Sequence, residues 1–196
     1  MGKGSIIGIG LVVLLGFFGM YGCSKRNGFV EKRESVTAQW QQVENQYQRR
    51  MDLIPNIVAT VEGQANFEKK TLTDVIAARA SATQVKLSVE NLNEESMAKY
   101  KAAQGELSSA LSRLMMVTEN YPDLKANQAF SDLRVELEGC ENRISEERRK
   151  YNESAKVYNT SIQIMPGSLF AWGFEKSVYF ESDEGADKAP KVKFNL

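Results

Sequence analysis

The 196-residue chain contains no histidine, only four prolines and only two cysteines, and its 25 Lys and Arg are balanced by 25 Asp and Glu. Each scarcity removes something. Without histidine there is no Ser-His-Asp or Cys-His nucleophile system. The Glu-x-x-His pairs that build di-iron sites in helical bundles are missing too. Cys23 and Cys140 give neither a disulfide framework nor a tetrahedral zinc site. A formal net charge of zero leaves no basic surplus for displacing counterions, so no nucleic-acid partner is expected. Carboxylate-only and Ser-Lys chemistry remain open, but no cofactor is expected and the chain reads as a non-enzyme. Prolines at 55, 122, 166 and 190 leave long stretches free for helices.

What is present begins with an uncharged run, SIIGIGLVVLLGFFGMYGCS, at residues 5–24. As a helix it would reach about 30 Å, the hydrocarbon thickness of a bilayer. Two readings compete: a transmembrane anchor, and a lipoprotein signal lipidated at Cys23 that would leave the protein facing the periplasm or cell surface. Lipoprotein signals carry Leu three residues before the cysteine and a small residue two before. Met20 and Tyr21 hold those places, so the anchor is the reading adopted. Lys25, Arg26, Lys32 and Arg33 outnumber Lys3 on the other side. By the positive-inside rule this predicts a single-pass bacterial inner-membrane protein, N-terminus out and C-terminal domain cytoplasmic.

Beyond residue 28 the apolar residues recur at helical spacing. Val36, Trp40, Val43, Tyr47 and Met51 draw one stripe, and Ile57, Val61, Ala65, Leu72, Val75, Ile76 and Ala80 draw another. Between them stand Asp52 and Pro55. One helix across both stripes would run roughly 90 Å against a third helix of far fewer residues, so the spacing predicts a structural turn at Asp52–Pro55. Asp52 is then the cap and Pro55 lies in the first turn of the next helix. Arg49 and Arg50 would flank that helix start, as a solvated end or as a phosphate or lipid-headgroup site. A polar break at 89–96 offers Asn93 or Ser96 as caps. Tyr100, Leu107, Leu111, Leu114, Thr118 and Tyr121 form the third seam, closed by Pro122, with Asp123 capping the next helix. In the fourth, Phe130, Leu137, Ile144, Tyr151, Tyr158 and Met165 are spaced by seven, and Cys140 lies on the same face as a small hydrophobe.

The predicted fold is therefore all-α: an N-terminal transmembrane helix with its flank (1–28), then an antiparallel four-helix bundle with coiled-coil-like seams (about 29–51, 54–89, 95–120 and 123–165), and an extended aromatic tail (166–196). The tail sets Phe170, Trp172, Phe174, Tyr179 and Phe180 in a non-helical stretch, as a membrane or partner contact or as a lid folded over the end of the bundle. After four alternating helices the chain returns to the level of the anchor, which places Phe170, Trp172 and Phe174 beside the bilayer. Glu138 and Glu141 share a face, as two metal ligands would, although a charged face or a buried polar layer uses the same residues. Tyr151-Asn152 and Tyr158-Asn159 repeat at seven residues, with the tyrosines on the seam and their hydroxyls near its rim.

RRMDLIPN, ENYPDLKAN, ELEGCENRI and the ending YFESDEGADKAPKVKF, with AARASA, ALSRL and YNTSI between them, give the chain from about residue 36 to residue 194 a clear resemblance to the LemA family of bacterial membrane proteins. The resemblance implies an N-terminal anchor, a short segment outside the cell, an antiparallel four-helix domain and no known catalytic residues. The expected function is a membrane-anchored scaffold or adaptor of the bacterial envelope, with the lipid bilayer and an envelope protein as partners. Its alternatives are the Cys23 lipoprotein and a carboxylate-metal bundle enzyme.

Overall fold

The computed structural model describes the backbone of residues 3–64, 67–88 and 91–180; the side chains of residues 3–7 and 9 are left aside. The chain forms α1 (Lys3–Glu62), α2 (Lys69–Gln84), α3 (Glu94–Thr118), the short α4 (Pro122–Ala126) and α5 (Gln128–Gln163), followed by a 3₁₀ turn at Gly167–Phe170. Among the described residues all regular structure is helical. The upper half of α1 packs along α5, and α2 packs against α3. With connections at 63–68, 85–93 and 119–127, the four long helices alternate in direction.

The expected turn at Asp52–Pro55 is not there: α1 runs through Pro55 to Glu62, and the chain reverses after Gly63. The buried face of α1 is Val36, Trp40, Val43, Tyr47, Arg50, Ile54, Ile57 and Val61, each 5 % exposed or less. Those positions alternate by four and three without a break, the spacing of a coiled-coil seam. The seam passes through an arginine. Met51, the neighbouring apolar residue, is only partly buried, so a stripe drawn through it veers off the face and suggests a break.

Proline inside a helix leaves the carbonyl four residues back without its donor. Here that carbonyl is Met51 O, and the Arg79 Nε–H of α2 donates to it at 3.1 Å. The helix continues because its neighbour replaces the lost bond. Pro55 itself is exposed, where its ring meets solvent rather than packing.

Other boundaries follow their caps. Asn93 caps α3: its Oδ1 accepts from Ser96 N at 2.9 Å, while its own N–H donates to Ser96 Oγ. The predicted fourth helix is two helices. Pro122 opens α4 with Asp123 in its first turn, and Asn127, not Asp123, caps α5 through Phe130 N. The predicted second helix ends at Gln84 rather than about residue 89. The segment after it is irregular but buries Leu87, whose carbonyl accepts from Trp40 Nε1.

The transmembrane expectation for residues 5–24 is not supported. Among the described residues, no helix is long and apolar enough to cross a membrane. The described apolar stretch, Gly10–Ser24, is shorter than the roughly 20 residues a crossing needs, and side chains 5–7 and 9 lie outside the described residues. What is described is apolar on every side: Leu11, Val12, Leu14, Leu15, Phe17 and Met20 are all more than half exposed. Residues 181–196 of the predicted tail also lie outside the described residues.

Candidate membrane-contact site

The site forms where the end of α5 returns to α1. Past Gln163 the chain turns through Pro166 and the 3₁₀ turn, and Gly167 is required there: a Cβ would lie 2.8 Å from Ser161 O and 3.3 Å from the Phe29 ring. The turn carries Phe170 onto α1. Its ring lies 5.1 Å from that of Phe18 and 6.0 Å from that of Tyr21, and it presses on Gly22, where a Cβ would meet the ring edge at 2.6 Å.

Arg26 fixes the segment that follows. Its Nη1 donates to Phe170 O at 3.0 Å and to Trp172 O at 3.1 Å, and its guanidinium lies 5.2 Å from the Trp172 ring and 5.0 Å from the Phe174 ring. Phe174 packs edge-on against Phe29 at 5.4 Å, with Arg33 at 5.8 Å. Such cation–ring contacts are worth about 0.5–1 kcal/mol at exposed sites. Trp172 nevertheless stays 80 % exposed, and Ile164, Met165 and Leu169, which precede it in the chain, are each more than half exposed. Along α1, then, a shaft of exposed apolar residues gives way to a collar of rings and cations, and then to the bundle.

Two tyrosine–asparagine pairs on α5 hold the tail in place. Tyr158 Oη donates to Glu175 O at 2.9 Å, and Tyr151 Oη to Val178 O at 2.8 Å. Asn159 brackets Ser177, with Nδ2–H donating to its carbonyl and Oδ1 accepting from its N–H, both at 2.8 Å. Asn152 brackets Phe180 in the same way. The register is arithmetic: seven helical residues rise about 10.5 Å and three extended residues span about 10 Å, so the repeat of seven on α5 matches a repeat of three in the tail. Burial raises the Tyr151 hydroxyl well above the ordinary phenol value. Burial also raises Tyr158, with Arg33 pulling it down and Glu175 pushing it up. Both tyrosines therefore stay protonated donors at neutral pH.

The five aromatic residues predicted as one surface divide. Phe170, Trp172 and Phe174 meet at the collar. Tyr179, 41 % exposed, lies higher, in a shallow cleft beside Glu94, Met97 and Lys101. Phe180 is core: 3 % exposed, it stacks on Trp40 at 5.6 Å and 18°, with Tyr151 edge-on and Arg148 above it. Asp52 and Pro55 mark no turn, as described above. Glu138 lies 4.0 Å from Arg134, and Glu141 pairs with Arg50 at 2.8 Å, so the two carboxylates are drawn to different cations. Arg50 is no solvated helix end; it is buried, while Arg49 is exposed and pairs with Glu136 at 2.9 Å. Among the described residues no group of three or more His, Cys, Asp or Glu could hold a metal ion. Sequence reasoning noted the Asn152 and Asn159 dyads and the charge of Arg26 but missed what these residues do for the tail, and it missed the close approach at Gly22. The signal for the asparagines was available: dyads seven apart on a helix, facing a non-helical tail.

Comparison with known proteins gives the chain relatives and a family. Over 87 residues the chain is 33% identical to magnetosome protein MamQ 2 of Paramagnetospirillum magneticum, covering 43% of this chain and 32% of that protein. The chain thus matches about a third of that relative's length. It is 24% identical over 209 residues to magnetosome protein MamQ of Magnetospirillum gryphiswaldense, covering 95% of this chain and 76% of the relative. Protein LemA of Metamycoplasma hominis is 23% identical over 151 residues, covering 77% and 65%. The LemA family profile matches residues 39–194, from the seam of α1 through the bundle and its tail, and the chain belongs to the LemA family.

Proposed function

We propose that this protein is held at a membrane by the apolar shaft of α1, with the collar at the lipid–water boundary, and that it works as a scaffold through contacts made by the bundle rather than as an enzyme. The observation that carries this reading is the order along α1. Side chains exposed and apolar on all sides (Leu11 to Met20) are followed by Tyr21, Lys25, Arg26 and Trp172, and only then by a one-sided buried seam. A helix apolar on every face is not suited to water, and Trp, Tyr, Lys and Arg gather at membrane interfaces. The four exposed apolar residues Ile164, Met165, Leu169 and Trp172 extend the same contact from the α5 side.

The finer reading is a single-pass anchor in a bacterial inner membrane, with the bundle on the cytoplasmic side because Lys25, Arg26, Lys32 and Arg33 flank it there. An envelope protein bound by the bundle is the partner of the scaffold. The packing of Phe170 on Phe18, Tyr21 and Gly22 favours an uncleaved anchor over the lipoprotein reading, since cleavage before Cys23 would remove all three. The test is depth-dependent quenching in vesicles of brominated lipid, using the full chain with Trp40→Phe so that Trp172 reports alone. Strong quenching by lipids brominated near the headgroup is expected. Trp172 emission indifferent to bromination would refute membrane contact at the collar.

A further inference from the structure

Cations are partnered in two different ways along this molecule. In the bundle Arg49, Lys70, Lys99, Lys125, Arg149 and Lys150 each pair with a carboxylate at 3.1 Å or less. At the collar Lys25, Arg26, Lys32 and Arg33 meet carbonyls and rings instead. Lys25 lies over the Tyr21 ring at 5.3 Å, Lys32 donates to Gly28 O at 3.4 Å, and Arg26 and Arg33 converge on the one Phe174 ring from 5.0 and 5.8 Å. Among the described residues none of these four forms an ion pair with a carboxylate. Glu175 shares a small cleft with Arg33 but makes no ion pair with it. Carbonyls and rings hold a cation in place without cancelling its charge, and two guanidinium groups drawn to one ring still repel each other.

We infer that the collar recognises anionic phospholipid, with the headgroup against Arg26, Lys32 and Arg33 and the acyl chains along the shaft below. The inference rests on the membrane reading above and adds the class of lipid. Placement supports it. Lys25 and Lys32 are seven residues apart on one face of α1, and Arg26 and Arg33 are seven apart on the adjoining face. At about 100° per residue, Glu31 and Glu34 fall on the other side of the helix, so the cationic face carries no acid of its own. Side chains of a helix lean toward its N-terminus, which here is the shaft, and Lys25 and Lys32 each reach a group four residues nearer to it. Guanidinium and ammonium groups are the donors that recognise phosphate oxygens. Phe17, Phe18 and Met20, each more than half exposed just below, offer apolar surface to a lipid tail, which a soluble phosphate would not use. A zwitterionic headgroup would bring a second cation to a face that already has four.

The test compares two quenchers at one collar. The full chain with Trp40→Phe is reconstituted in vesicles of phosphatidylcholine and phosphatidylglycerol, and bromine is carried by one lipid or the other at the same mole fraction. Trp172 quenching then reads which lipid sits beside it. Phosphatidylglycerol is expected to quench as though enriched about fivefold, the effect of one well-placed cation at an anionic surface. Lys32→Gln with Arg33→Gln should bring the enrichment below about twofold. Lys69→Gln with Arg113→Gln removes the same charge at the far end of the bundle and should leave the enrichment unchanged. Helix content should hold in both double variants, since none of the four side chains belongs to the buried core. Equal quenching by the two lipids would overturn the selectivity and leave the membrane contact standing, whereas quenching by neither would overturn the membrane reading along with it. Enrichment that survives Lys32→Gln with Arg33→Gln, or that both double variants lose equally, would also overturn the proposal.

Discussion

The two halves of the bundle are built from different materials. On the far side of Arg50 the core is largely aliphatic: Ile54, Ile57, Val61, Leu72, Val75, Leu107, Leu114 and Leu137, enclosed by four helices. On the near side α2 has ended, and the wall it leaves open is closed by rings: Trp40, Tyr47, Tyr100, Tyr151, Tyr158 and Phe180, with Leu87 and the tail laid across them. Aliphatic side chains interdigitate between parallel helical ridges. Rings and an irregular extended segment cover a gap too wide for that, and they bring hydroxyls and amides that need partners. The distal half is held by helix against helix, the proximal half by a strap.

Truncation after Gly173 should separate the two most sharply. Burial of Phe180 contributes about 2–3 kcal/mol, and the side-chain bonds to the tail backbone should bring the loss to about 4 kcal/mol. Hydrogen exchange should rise over residues 29–47 and 144–162 while residues 107–114 keep their protection. Uniform loss of protection would show that the halves are one cooperative unit. The boundary layer comes next. Glu141→Gln leaves the Arg50 charge buried without its counterion and should cost about 2–3 kcal/mol in denaturant unfolding. Arg50→Met leaves Glu141 at the rim in water and should cost clearly less. Equal costs would remove the asymmetry of burial, 1 % against 41 %, from the explanation.

Within the strap, Asn152→Ala and Asn159→Ala each strip one tail residue of both backbone partners, for an expected loss of about 2 kcal/mol apiece. The double variant should lose less than the sum, because either change frees the same segment. A smaller effect is expected in the distal half. Arg79→Ala orphans Met51 O and should cost about 1 kcal/mol, and the cost should fall to near zero in a Pro55→Ala background, where residue 55 supplies the missing N–H. At neutral pH no change at all is expected from the tyrosines. Tyr100, Tyr151 and Tyr158 have their ionisation raised above 10.0 in the fold, chiefly by burial. Above pH 10 the unfolded chain therefore holds fewer protons than the native one, and stability falls as pH rises. Thermal unfolding should show a plateau through neutrality and a decline only in that alkaline window, with the proximal half leading.

How much of this could be read from the sequence depended on whether a residue's partner was near in the chain. The seams of α3 and α5 were legible because Leu107, Leu111, Leu114 and the sevenfold series from Phe130 to Tyr158 follow helix geometry alone and are buried; Met165, the expected last member of that series, falls past the end of α5 and is 65 % exposed. Asn93 and Pro122 were legible as local caps and stops. Pro55 was misread because its tolerance depends on Arg79, on another helix. Arg50 was misread because hydrophobic periodicity has no means of marking a buried cation whose counterion lies 91 residues further on. The return of Phe170, Trp172 and Phe174 to the N-terminal part of α1, beside Phe18, Arg26 and Phe29, followed from counting helix directions. Which of the tail aromatics would be core and which exposed did not, since Asn152 and Asn159 set that through bonds to backbone, which carries no sequence signature.

The unbroken course of α1 has a mechanical meaning. From Arg26 at the collar to Glu62 at the far end the helix spans about 54 Å, with no hinge between the shaft and the bundle it helps to build. Height above the collar is thereby fixed, and so is direction. On the proposed reading that the shaft sits in a bilayer, a tilt of about 20° would sweep the far end sideways by about 18 Å. The helix is at once a ruler and a lever: whatever binds at the distal end is held at one distance from the collar, and small changes in how the shaft sits are magnified there.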